Sequence, residues 1–394
     1  MACFDDPKFN VAPLPQMHFT GFAYPISSRG LFVSDSPEAF PLATLGQQVL
    51  ARATFQSANG IVKVRVFLWH QRDSDVTETT TVKLYAKVST GSGTITQHVS
   101  TSDYRTRDNQ YFAWSGKCLA WRQLAHALSS NTTSPPGTTL STSMKTIGQY
   151  PMPYSTTASS DSFFFGAIHE IDVTLSPGSS LLLWTGVTSS AHPTDVDYNG
   201  TLAKPSALPP PNDHHYVNVR GGWDSCEIEA DCLDLLALPI EFILPSNKNP
   251  ARAVQYGYQN CPEAAWFPSS SETPYPEKLQ NKGLYGVTLL LLGKVFNPNP
   301  VTIPVDIATG NDATLYCGAA MPSTYIGFPF QVGILRSQQQ QNLVDSLGTL
   351  SPYSTSSLYT DVAVGGGSET PGDIRFGTIA YTNPTITHPG GGPA

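Results

Sequence analysis

Apolar and polar residues alternate with period two along this chain, and that spacing restricts it to sheets. Successive side chains of an extended backbone point to opposite faces. In Ile61-Val62-Lys63-Val64-Arg65-Val66-Phe67-Leu68-Trp69 this puts Val62, Val64, Val66 and Leu68 on one side and Lys63 and Arg65 on the other, the pattern of a half-buried strand. Thr81–Val88 repeats it, with Val82, Leu84, Ala86 and Val88 facing one way. The two segments are expected to pair in one antiparallel sheet, joined by the polar Gln71–Thr80 connection.

Further strands are predicted at Glu170–Leu175, Leu181–Trp184, Tyr216–Val219, Ile240–Leu244, Leu284–Phe296, Val301–Ile307, Thr314–Tyr316 and Ile374–Tyr381. Between the first two lies Ser176-Pro177-Gly178-Ser179, where proline fixes φ and glycine accepts a positive φ, so this stretch predicts a hairpin. Helical spacing is scarce. It occurs at Lys117–Leu128, where Trp121, Leu124, Ala125 and Leu128 share a face, at Ser337–Leu347, and over the short stretch Ala230–Leu238.

A chain of 394 residues exceeds what one core usually serves. The expectation is an all-β protein of two jelly-roll or β-sandwich domains, 1–238 and 239–394, with long loops and a few short helices. The aperiodic tracts Ser129–Ser160, Gly200–Asp213 and Pro245–Gly283 are long for connections in a compact domain and predict functional loops or interface arms.

Charged residues are only 13% of the chain, about half of the roughly 25% usual for soluble domains, while 32 Gly and 33 Pro fill the connections. The net charge of −8, without a basic cluster, argues against direct nucleic-acid binding. The longest apolar runs are too short to span a bilayer. Met1-Ala2-Cys3-Phe4-Asp5-Asp6 has no basic or apolar leader region, which predicts synthesis in a host cytoplasm. The six cysteines lack a CxxC pair and read as buried thiols, Cys226 and Cys232 being the nearest candidates for a bridge.

Asp195-Val196-Asp197-Tyr198-Asn199-Gly200-Thr201 spaces oxygen ligands as in the first half of a calcium loop, with Asp195, Asp197 and Asn199 offering side chains and Thr201 its carbonyl. Ser206 stands where the twelfth-position acid would be, so the competing reading is an Asx-rich turn. No other cofactor is expected. Asp213-His214-His215 could hold a metal with help from His192 or His169, but adjacent histidines face opposite ways on a strand, so only one could join a given site and the segment reads as a polar strand entrance. Glu227, Glu229 and Asp231 alternate on one face of an extended segment near Trp223 and Asp224, an arrangement suited to a sugar cleft or to a solvated surface.

Nucleotide-binding, protease and hydrolase motifs are absent, so no catalytic residue is assigned. Together these features predict a structural protein of a large assembly, a viral or bacteriophage virion component serving as capsid, decoration or tail/fibre. Its partners would be copies of itself and other virion proteins, with a surface glycan as a further ligand. The alternative is a carbohydrate-binding or carbohydrate-cleaving β-sandwich using exposed aromatics as stacking platforms.

Overall fold

The computed structural model describes residues 27–106 apart from 36–38, 57–58 and 73–74, most of 116–154, and all of 163–204, 220–237, 285–296, 300–311 and 340–364, with shorter pieces at 8–10, 16–17, 23–25, 39–40, 252–256, 319–322, 330–332 and 372–377. Strands dominate. Toward the N-terminus they are β1 (Lys8–Asn10), β2 (Gln16–Met17), β3 (Ala23–Pro25), β4 (Gly30–Ser34), β5 (Ala39–Phe40), β6 (Gln48–Gln56), β7 (Ile61–Arg72), β8 (Thr80–Val88) and β9 (Gly93–Thr106). Next come β10 (Thr139–Leu140), β11 (Lys145–Met152), β12 (Phe163–Leu175), β13 (Ser180–Ser189), β14 (Thr201–Leu202) and β15 (Arg220–Trp223). The remainder are β16 (Glu227–Ala237), β17 (Arg252–Tyr256), β18 (Thr288–Phe296), β19 (Ile303–Asn311), β20 (Ala319–Pro322), β21 (Phe330–Val332), β22 (Gln340–Leu350), β23 (Thr355–Val364) and β24 (Gly372–Gly377).

The chain is all-β. Two sheets, ordered β11-β8-β13-β6-β14 and β10-β9-β12-β7-β4-β15, face one another across a single core. Val64, Val66 and Leu68 of β7 meet Val82, Leu84 and Ala86 of β8 there, all at 0–1% exposure. The chain crosses between these sheets at almost every connection, from β6 to β7, β7 to β8, β8 to β9, β11 to β12 and β12 to β13.

A second pair of sheets, β1-β22-β19-β24-β17-β2 and β21-β20-β23-β18-β16-β3, repeats much of this order. Numbering strands from β6 in one half and from β16 in the other, and setting aside the β20–β21 hairpin, the second, seventh, fourth and fifth strands lie side by side in both: β7-β12-β9-β10 and β17-β24-β19-β22. The companion sheets read first-eighth-third-sixth in β6-β13-β8-β11 and first-third-sixth in β16-β18-β23. β13 runs antiparallel to both its neighbours. With no strand between them, β16 and β18 pair directly and in parallel. The N-terminal strands β1, β2 and β3 add to this second pair of sheets, against β22, β17 and β16.

Several expectations are corrected. Ile61–Trp69 and Thr81–Val88 are both strands, but β7 and β8 lie in facing sheets rather than side by side. The Ser176–Ser179 turn forms, with the Ser179 amide donating to the Ser176 carbonyl at 3.1 Å and Gly178 at φ 73°, yet it carries the chain from one sheet to the other and closes no hairpin. Alternation fixes which face is buried; the partner strand is chosen by long-range packing. Ser337–Leu347 and Ala230–Leu238, read as helices, fall on the strands β22 and β16, whose ladder pairing overrides a weak local preference. Only the Lys117–Leu128 expectation retains helical residues, within 116–124. The tracts expected as loops or arms hold the strands β10, β11, β14 and β17. Tyr216–Val219, Ile240–Leu244 and Thr314–Tyr316 lie outside the described residues.

Candidate functional site

The predicted calcium loop covers the outer face of the sheet containing β6, β13 and β8. Tyr85 and Trp184 are cross-strand partners whose rings stack with centroids 5.3 Å apart. Val196 and Tyr198 close over them, and the Trp184 indole Nε1 donates to the Val196 carbonyl at 2.7 Å. Two cations grip the Tyr198 ring, with Arg52 and Lys87 each 5.8 Å from its centroid, while Lys87 also stands 5.5 Å from Trp184. The Arg52 guanidinium donates to the carbonyls of Tyr198 and Gly200 at 3.1 and 3.3 Å.

The two carboxylates among the predicted calcium ligands are directed to lysines, to the Tyr85 hydroxyl and to their own backbone. Asp195 accepts from the Lys83 ammonium at 2.7 Å and the Tyr85 hydroxyl at 2.8 Å. Burial, followed by that carboxylate, pushes the Tyr85 hydroxyl far above its ordinary pKa. Asp197 accepts from Lys87 at 3.1 Å and from the Asn199 amide at 3.0 Å, and the amide bond, with Lys87 behind it, holds its carboxyl below the usual value. Thr201 begins β14 and pairs with Gln48. Among the described residues no group of three or more His, Cys, Asp and Glu is placed to hold a metal ion.

The acid-rich segment beside Trp223 lies at a different place, over the outer face of the β12–β7 pair. Arg65 and Glu170 are cross-strand partners there, as are Lys63 and Asp172. Arg65, whose polar-face position predicts a side chain pointing outward or into an interface, is only 2% exposed within the chain, whereas Lys63 remains 46% exposed. Residues 226–227 and 285–288 cover it, with Gln123 from the helical residues 122–124. The guanidinium donates to Glu170 Oε1 from Nε at 3.1 Å and Nη2 at 2.9 Å, and to the Gly286 carbonyl and Thr288 Oγ1 at 3.2 and 3.0 Å. Glu227 Oε1 stands 3.6 Å from Nη2. Gln123 completes the network by donating to Thr288 Oγ1 and the Val287 carbonyl.

Gly286 makes this closure possible. It sits at φ +74°, and a β-carbon there would come within 2.9 Å of Leu31 Cδ1 and Phe67 Cβ. Cys226 is a free buried thiol, pushed up to about 11 chiefly by burial. Trp223 is 4% exposed and presents no open ring face to a sugar; Asp224 is exposed beside it. Glu229 and Asp231 follow Glu227 along β16, at the register of Leu290 and Leu292, with side chains outside the described residues. Asp213, His214 and His215 also lie outside them.

Asp195, Asp197 and Asn199 thus share the turn that their spacing predicts, but the lysines that meet the two carboxylates come from β8 and carry no signal in the local sequence. It also misses Arg65 as the centre of a buried network. One signal was present: Arg65 is the only charge in a segment whose other members from Val64 to Trp69 are apolar. Among the described residues no helix is long and apolar enough to cross a membrane. No family model matches the chain, and no curated protein matches it.

Proposed function

We propose that this chain is a structural protein of a virion, acting by self-association, and that each half is wound as a jelly roll. The observation that carries the reading is the strand order. Eight strands arranged first-eighth-third-sixth against second-seventh-fourth-fifth make the double Greek key used by capsid, lectin and cupin domains, and β6 to β13 follow it throughout. The second half follows the same order through its first seven strands. Two tandem units of one winding suit a building block that tiles a surface. The fold alone does not choose among functions, so the burial pattern weighs on the choice. Trp69, Trp184 and Trp223 are all buried, which leaves a sugar-binding role without a stacking platform among them.

The test is assembly of the purified chain. Electron microscopy and sedimentation at rising concentration should reveal regular particles or discrete oligomers burying well over the roughly 1,600 Å² of a standard interface. A stable monomer at high concentration across a range of salt and pH would overturn the reading.

A further inference from the structure

The core of the first sandwich contains a hydrogen-bonded chain of two histidines and a tyrosine. His98 of β9 and His169 of β12 are 0% and 2% exposed. His98 Nδ1 lies 2.9 Å from the Ser134 carbonyl, and His98 Nε2 lies 2.8 Å from His169 Nδ1. His169 Nε2 then meets the Tyr150 hydroxyl of β11.

A carbonyl oxygen can only accept, which fixes every proton in the chain. His98 must carry its proton on Nδ1, so its neutral Nε2 accepts from His169 Nδ1. His169 Nε2 is then an acceptor, and Tyr150 donates to it. Both ends of the chain, Ser134 and Tyr150, belong to the segment 134–152; the two imidazoles lie in the sheet facing β11, the sheet that the segment's own β10 joins at its edge.

The rest of that segment is held by β10, which pairs with β9 at Thr139 and Leu140, by the β11–β8 ladder, and by Leu140, Ile147 and Met152 in the core. Among the described residues β11 is an edge strand bonded to β8, with its register broken between Thr146 and Gly148. Gly148 lies against the His169 ring, where a β-carbon would stand 3.2 Å from Cε1, and Tyr150 stacks on Phe165 with centroids 4.8 Å apart. Among the described residues the titratable groups facing the two rings are each other and the Tyr150 hydroxyl. Glu170, next along β12, is turned to Arg65 on the outer face. The further imidazole in this core, His70 of β7, bonds to Ser34 and stands 6.0 Å behind Phe165. Among the described residues no carboxylate is therefore at hand to stabilise an imidazolium.

We infer that this chain is an acid-release latch: protonation of the histidine pair frees 134–152, with edge strand β11, from the sandwich while the central strands stay paired. An added proton would fall on a nitrogen already facing a donor, His98 Nε2 facing His169 Nδ1–H or His169 Nε2 facing the tyrosine hydroxyl. Burial lowers the pKa of His98, and burial together with His98 lowers that of His169 further. The sign follows from linkage. A base depressed when closed takes up protons on opening, so the latch is at full strength above the ordinary imidazole pKa of about 6.5 and weakens as pH falls below it. Each histidine contributes up to about ten-fold per pH unit below its ordinary pKa, so the pair raises the opening constant between pH 7 and pH 5 by at most roughly 600-fold.

Hydrogen exchange on the full chain, corrected for intrinsic rates, reads this directly. On going from pH 7 to pH 5, peptides within 139–152 should lose protection by about ten-fold or more while β6 and β13 keep theirs. Tyr150→Phe should raise opening at pH 7 and keep the pH slope; His169→Gln should flatten the slope. Protection of 139–152 that is unchanged at pH 5, or lost equally in β6 and β13, overturns the latch in the unmodified chain alone. So does an undiminished slope in a folded His169→Gln chain.

Discussion

Replacing Glu170 with leucine should expose how strongly the covered face depends on one charge pair. Arg65 is at the centre of the buried network, and Glu170 receives two of its bonds through a single carboxylate oxygen. Removing one partner of a buried pair strands the other and costs about 3–5 kcal/mol. Here Glu227, at 3.6 Å and one-third exposed, remains as a weaker counter-charge, so the lower end, about 3 kcal/mol, is expected. At roughly 2–4 °C per kcal/mol for a domain of this size, the melting temperature should fall by about 6–12 °C.

The double variant Arg65→Met with Glu170→Leu separates the charge effect from packing. It removes the stranded cation and leaves the Gly286 carbonyl without its arginine donor, an acceptor cost of about 1–3 kcal/mol. The Cys226 carbonyl keeps the Thr288 amide, and Thr288 Oγ1 keeps Gln123. The double variant should therefore be more stable than Glu170→Leu alone. Thermal melts at fixed concentration and scan rate supply the comparison. A single variant within about 1 kcal/mol of the parent, or a double variant no better than the single, would refute this account of the buried pair.

Gly286→Ala should destabilise by at least the roughly 1–3 kcal/mol of a strained backbone position, since the new methyl also meets Leu31 and Phe67 at 2.9 Å; a melt shifted by less than a degree would contradict it. Millimolar calcium or a chelator should leave the melting temperature unchanged, because Lys83 and Lys87 already neutralise Asp195 and Asp197. A calcium-dependent rise that Asp197→Ala abolishes would show that the ion displaces those lysines.

Period two made the strands legible. It located β7, β8, β12, β13, β18 and β19, and it separated Val64 from Lys63 correctly. It could not reveal that the polar face from Arg65 onward is covered as well, because that cover comes from residues 226–227 and 285–288, far along the chain. Nor could it give the strand partners. In a fold whose chain crosses between sheets at nearly every turn, sequence neighbours are seldom sheet neighbours, and a proline-glycine turn looks the same in a hairpin and in a crossover. The helical misreadings at β16 and β22 have a related cause, since short apolar spacings fit either period until a ladder supplies the choice. The Asp195–Thr201 turn was legible as a turn, whereas Lys83, Lys87 and Arg52, brought in from β8 and β6, were not.

The pairing of β1 with β22 imposes a schedule on synthesis. Lys8–Asn10 find their partners only at Gln340–Asn342. At about 5–20 residues per second, the first strand waits roughly 20–70 s after emerging from the ribosome before its ladder exists. β2 and β3 wait less, for Ala253–Val254 and Ile228–Ala230. Over that interval the leading segment has unpaired backbone donors and acceptors beside the same segment of other nascent chains, a setting in which strand edges join the wrong partner. A translation-arrested chain ending shortly before residue 340 should therefore leave Lys8–Asn10 open to protease, and completing the chain should close it.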